Sequence, residues 1–232
     1  MDNDNYHMAT FADELKLSSI EIWQKILNHK FIMEIYNGIL PIDKFVFYIK
    51  QDQIFLEEFC RFLSVAKQKS DNNADLVKLF DNILYSTINF EMKMQDRIIF
   101  DSFNISPSSV YITRNVDVLP SNATLEYTFY LRQVSSKGSI SKIVSAMSPC
   151  PWTYLEIAEK LSKSHHLQNN IKIYKKWVEF YLSDESHRQV NELKKVLCIL
   201  ADDKNNKMAM KKHFASACKY EFLFWDMAYY GN

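Results

Sequence analysis

The sequence predicts an all-α protein, a helical bundle in one domain. Three observations lead there. The 232 residues include only 3 Gly and 5 Pro, too few for the turns of a β-sandwich or barrel. Hydrophobic residues make up 47% of the chain, with 16 Phe and 13 Tyr, enough to fill a large core. Apolar side chains recur at three- and four-residue steps over long stretches, and the links between those stretches are short and polar.

Residues 10–28 read as an amphipathic helix, with Leu15, Ile22, Trp23 and Ile26 on one face. Asn37-Gly38 is a stop signal, and Pro41 opens the next helix, which runs to about Lys67. The polar "KSDNNAD" connects it to a helix over 75–103. Residues 104–122 carry two prolines and little periodicity, and are the longest irregular stretch. Helices follow over 123–136, 139–164 (interrupted at "PCPW"), 169–181, 183–201 and 205–229. No repeat divides the chain, so residues 1–232 are expected to form one domain, with 1–9 as a flexible N-terminus.

Composition excludes several function classes. Lys plus Arg and Asp plus Glu number 28 each, without the basic excess a nucleic-acid partner requires. Cys60, Cys150, Cys198 and Cys218 form no CxxC pair, which argues against zinc and dithiol redox motifs and for free thiols in a reducing compartment. The polar opening "MDNDNYHMAT" is unlike a secretory signal, and no apolar run is long enough to span a bilayer. A cytoplasmic protein is expected.

Polar residues on apolar stripes mark the candidate site. Asp52 falls on the stripe of Phe45, Tyr48, Ile49, Phe55, Phe59 and Phe62. A carboxylate there must be paired, hydrogen-bonded or shifted in pKa, as a structural acceptor or as part of a site. Glu221 shares helical spacing with Cys218, Trp225 and Ala228. An aromatic interior raises a carboxyl pKa, which suits a general acid or base, and a structural Glu satisfied by Arg or Tyr fits the same pattern. Cys150 lies between Pro149 and Pro151, and Tyr154 follows one turn later. Proline deletes a backbone donor, so Cys150 belongs at a helix break or first helical turn. The free N–H groups of that turn favour a thiolate, whereas a buried thiol without such help is inert.

Other residues carry less. Cys60, Cys198 and Cys218 read as packing, as do Met92 and Met94, and His165, His166, His187 and His213 as solvated. Neither "EMKMQD" nor "DESHRQ" has the Glu-x-x-His spacing of a di-iron site, and no glycine-rich phosphate loop occurs.

Four ordered segments give these residues a context: "HKFIMEIYNGILPIDKFVFYIKQDQIFLEEF" (29–59), "EYTFYL" (126–131), "SPCPWTYLEIAEKL" (148–161) and "KYEFLFWDMAYY" (219–230). Together they resemble the TenA family, also called thiaminase II, over nearly the whole chain. The resemblance implies a haem-oxygenase-like all-α fold and a homotetramer. It implies hydrolysis of 4-amino-2-methylpyrimidines at the exocyclic methylene in thiamin salvage, with thiamin itself a substrate of some members. No metal or organic cofactor is implied. Cys150 would be the nucleophile, Glu221 the proton shuttle, and Asp52 a hydrogen-bonding partner of the ring nitrogen or amino group that also helps to ionise the thiol. Tyr127 would stack on or flank the pyrimidine, Tyr154 and Tyr181 would order the site, and Phe55 and Phe224 would form apolar walls. The His-Pro-Phe opening of the family stands here as His29-Lys30-Phe31, and Phe55 replaces the tyrosine of several members. Residues 104–122 would lie over the pocket or in a subunit contact.

Two other readings stay open. A cofactorless oxidase on the same fold would need a basic pocket for a polycarboxylate. A non-catalytic pyrimidine-binding or regulatory protein would not need Cys150, Asp52 and Glu221 together.

Overall fold

A computed structural model describes residues 9–103, 118–166 and 172–231. Among these residues every regular element is helical. In chain order they are α1 (Phe11–Ser18), α2 (Ile20–Leu27), α3 (Lys30–Tyr36), α4 (Ile42–Gln68) and α5 (Ala74–Ser86). A π-helical turn (Thr87–Glu91) leads into α6 (Met92–Phe103). Then come α7 (Asn122–Lys137), α8 (Ile140–Met147), α9 (Pro149–Leu161), α10 (Lys172–Tyr181), α11 (Asp184–Leu200) and α12 (Lys204–Tyr230). Most of the segment expected to be irregular, 104–117, lies outside the described residues, as does the N-terminus up to residue 8.

Local chemistry starts and stops these helices. Thr10 and Asp13 form a capping box on α1: the Thr10 hydroxyl accepts from the Asp13 amide at 3.2 Å, and the Thr10 amide donates to Asp13 Oδ2 at 2.9 Å. The expected single helix over 10–28 is in fact two. Ser19 (φ −116°, ψ 15°) breaks it, leaving Leu17 exposed while Leu15, Trp23 and Ile26 stay buried. His29 caps α3, its Nδ1 accepting from the Phe31 amide at 3.2 Å, so the departure at Lys30 is a helix start. Gly38 ends the turn after α3 at φ 67°, a conformation that glycine adopts without strain.

Helix α4 is the central strut. It packs against α5, α6, α7 and α12, and buries Phe45, Tyr48, Ile49, Phe55, Phe59 and Phe62. Trp225 of α12 stacks on Tyr48 with ring centroids 5.0 Å apart, and Trp177 of α10 meets Tyr48 edge-on at 6.1 Å. Helices α8 and α9 are nearly continuous, because Ser148 between them keeps helical angles (φ −65°, ψ −34°). The prolines at 149 and 151 therefore delete amides rather than turn the chain, and Cys150 occupies the first turn of α9. No described helix is long and apolar enough to cross a membrane.

Candidate active site

Four helices and the π turn bring the site together. Helix α4 carries Asp52, α7 carries Tyr127, α9 carries Cys150 and Tyr154, and α12 carries Glu221. The π turn contributes Glu91. Opening one helical turn to i→i+5 bonding displaces the following residues around the axis, a device recurrent at functional sites.

Glu221 is buried. Its Oε1 accepts from the Tyr127 hydroxyl at 2.6 Å, and the Cys150 thiol donates to the same carboxylate. Burial pushes the Glu221 carboxyl from 4.5 up to about 7, against the two hydrogen bonds that favour its charged form. Glu221 is thus placed to take the Cys150 proton.

Asp52, also buried, accepts at Oδ2 from Gln95 Nε2 at 2.6 Å and, more weakly, from the Tyr48 hydroxyl at 3.4 Å. Burial holds its carboxyl well above the usual range, and the neighbouring Glu91 and Glu221 add to this. The hydrogen bonds from Gln95 and Tyr48 favour its charged form and act against that rise. The Tyr48 hydroxyl also reaches Tyr154 at 3.2 Å and accepts from the Trp177 indole at 3.2 Å, which fixes the wall behind Asp52.

The thiolate expectation is corrected. Burial pushes the Cys150 thiol well above its ordinary value, and Glu221, Glu91 and Asp52 push in the same direction. The amides at the start of α9 do not offset burial and three nearby carboxyl groups. Cys150 rests as a thiol.

A cavity opens beside Cys150. Leu56, Phe59, Ile83 and Phe180 form its apolar lining, and Glu91, Cys150, Tyr154 and Tyr181 its polar one. Phe55 and Phe224 stand one layer behind: Phe55 lies 4.8 Å from Tyr127 and 5.8 Å from Phe224 between ring centroids. Tyr127 is itself buried, stacked on Tyr220 at 5.3 Å. Tyr181 packs on Tyr154 at 4.9 Å and donates to Glu91 Oε1 at 2.5 Å.

Glu91, Gln95 and Tyr48 are the residues the sequence reading missed. Ile83, Thr87, Glu91 and Gln95 recur every four positions, so a polar stripe between apolar ends was present in the sequence. Among the histidines, His213 is half-buried against the Tyr130 hydroxyl at 3.0 Å rather than solvated, and His165 and His166 are exposed. Among the described residues no group of three or more His, Cys, Asp or Glu is arranged to hold a metal ion.

The fold and this site define a class: an all-helical, haem-oxygenase-like domain with a thiol–carboxylate pair at an aromatic cavity. Haem oxygenase from Leptospira interrogans shares the fold, with a TM-score of 0.64 at 15% identity over 94% of this chain and 98% of that one. The sequence profile of the TENA/THI-4/PQQC family matches residues 18–231, and the chain belongs to that family. It is 31% identical over 222 residues to a Halalkalibacterium halodurans protein named aminopyrimidine aminohydrolase, covering 95% of this chain and 96% of that protein. The solved TenA homologue from P. horikoshii OT3 superposes with a TM-score of 0.84 at 28% identity, covering 96% of this chain and all of that one.

Proposed function

We propose that the protein is a cofactor-independent aminopyrimidine aminohydrolase of thiamin salvage. The observation that carries this reading is the hydrogen-bonded set Tyr127–Glu221–Cys150, a thiol beside a buried carboxyl group, with the thiol in the wall of a cavity. The enzyme named aminopyrimidine aminohydrolase, similar over nearly its whole length, points the same way.

The chemistry proceeds as follows. Glu221 accepts the thiol proton, and Cys150 Sγ adds to the pyrimidine ring carbon beside the substituted one. Asp52 hydrogen-bonds the ring nitrogen that gains electron density. The electron pair then breaks the C–N bond of the protonated aminomethyl substituent, which leaves the exocyclic methylene as ammonia. Water adds to that methylene, giving up a proton to the site carboxylates, and the thiolate leaves as the ring regains aromaticity. The products are hydroxymethyl pyrimidine and ammonia. Tyr127 flanks the ring, Tyr154 and Tyr181 order the cavity, and Phe55 and Phe224 back it. Thiamin would follow the same course with the thiazole as leaving group. The whole chain acts as one catalytic domain in the cytoplasm, and light scattering tests the homotetramer that the resemblance implies.

The cavity disfavours the oxidase alternative. No Lys, Arg or His stands among its described lining residues, and a polycarboxylate would meet the Glu91 carboxyl group instead. The test is hydrolysis of 5-aminomethyl pyrimidine and of thiamin, supplied separately, by wild type and Cys150→Ser. Turnover that collapses in the variant supports the assignment. Absence of turnover of both, with tight pyrimidine binding retained, favours a binding protein.

A further inference from the structure

One carboxyl group in the cavity wall, that of Glu91, has no part in the reaction above. Asp52, Glu91 and Glu221 influence one another and Cys150, and no cationic side chain stands among the described lining residues. Glu221 is buried against Tyr127 and is not among the cavity's lining residues, whereas Glu91 lines the cavity together with Cys150. Glu91 is also held rigidly. Tyr181 donates to its Oε1 at 2.5 Å, Thr87 hydrogen-bonds it from one turn earlier, and the π turn sets its direction. A carboxyl group is thus fixed in the cavity wall with no cationic side chain among the described lining residues. A part-buried carboxyl group of this kind either keeps its proton or pairs with a cation, and an ammonium on the ligand would supply that cation.

We propose that Glu91 receives the ammonium of the substrate's exocyclic aminomethyl group and sets the preference for a charged leaving substituent over a neutral one. This rests on the aminopyrimidine reading. With Cys150 bonded to the ring, the substituent on the adjacent carbon projects into the open part of the cavity, which Glu91, Thr87 and Tyr181 line. An ammonium there also offsets the carboxylate repulsion on the thiolate, so substrate arrival helps to ionise Cys150. Glu91 rests with its carboxyl pushed up to about 7 by burial, so pairing with an ammonium draws its proton off.

The experiment is calorimetric titration of the full chain carrying Cys150→Ser, which binds without turnover, at pH 7 in buffers of different ionisation enthalpy. The ligands are 5-aminomethyl and 5-hydroxymethyl pyrimidine, alike in size and different in charge. The expected result is preferential binding of the amine. Adding Glu91→Gln reduces the amine-to-alcohol affinity ratio by about tenfold or more, the scale of one charge-assisted hydrogen bond. Alcohol affinity changes by less than about threefold, because the ring contacts are intact. A ratio measured within one protein does not depend on the fraction folded. Proton release on binding the amine, and not the alcohol, gives a second readout that needs no Glu91 variant. An unchanged ratio in Glu91→Gln, or equal proton release with both ligands, overturns the assignment. Failure of both pyrimidines to bind the Cys150→Ser parent overturns the aminopyrimidine reading itself.

Discussion

Replacing Tyr127 by Phe removes one hydroxyl and keeps the ring. In the structure that hydroxyl donates to Glu221 Oε1 at 2.6 Å, in a buried setting, and holds the carboxyl pKa down against burial. A hydrogen bond to a charged group contributes about 1.5–3 kcal/mol. A tenfold change in ionisation corresponds to about 1.4 kcal/mol, so losing this bond carries the Glu221 titration from about 7 to roughly 8. The ionised form is the working base. At pH 7 its fraction falls from about one half to about one tenth, and kcat falls by about fivefold. At pH 9 both forms are largely ionised, and the two enzymes should differ little. The assay is kcat for ammonia release from pH 5.5 to 9.5. The acidic limb should move up by about one pH unit, with the plateau nearly unchanged. A limb that stays near pH 7 while the plateau drops would show that Tyr127 only packs against substrate, and would refute the role given to its hydroxyl.

Three further predictions follow from the same contacts. Glu221→Gln stabilises the fold while abolishing activity. The raised carboxyl pKa means that the folded state binds its proton more tightly than the unfolded chain does, so this group's contribution to stability falls as pH rises from about 4.5 to about 7. The full shift corresponds to roughly 3 kcal/mol, so thermal unfolding at pH 8 should show Tm several degrees higher in the variant, and little difference at pH 4.5. Cys150 should react with iodoacetamide at pH 7 more slowly than a free cysteine, read by intact-protein and peptide mass spectrometry, because burial and its carboxylate neighbours keep it a thiol. Glu156→Ala should destabilise the protein by about 3 kcal/mol or more in denaturant titration. That carboxylate accepts from the Trp23 indole at 2.9 Å, the Trp152 indole at 2.7 Å and Lys16 at 2.6 Å, and its loss strands all three.

Much of this was legible in the sequence. Asp52 and Glu221 stood out because a carboxylate on an apolar helical stripe has no place in an ordinary core. Cys150 stood out because two prolines bracket it. Those are local patterns, and helical periodicity reports them directly. Three features were not legible. The state of the Cys150 thiol depends on carboxyl groups from α4, α12 and the π turn, and no local rule about helix ends includes them. Glu91 was passed over because "EMKMQD" was weighed only as a metal motif, while the π turn that directs it has no clear sequence signature. The break at Ser19 follows from the way α1 and α2 wrap onto α11 and α12, a tertiary demand that overrides a continuous amphipathic pattern.

The central claim is that Cys150 is the nucleophile in aminopyrimidine hydrolysis, with Glu221 as its base. Its most direct test is ammonia release from 5-aminomethyl pyrimidine at pH 8, measured for wild type and Cys150→Ser, together with product affinity on the same preparations. The account predicts steady turnover by wild type and a loss of about a thousandfold or more in the variant, with hydroxymethyl pyrimidine binding within about threefold. Turnover by Cys150→Ser within about tenfold of wild type would contradict it and return the chemistry to the carboxylates alone.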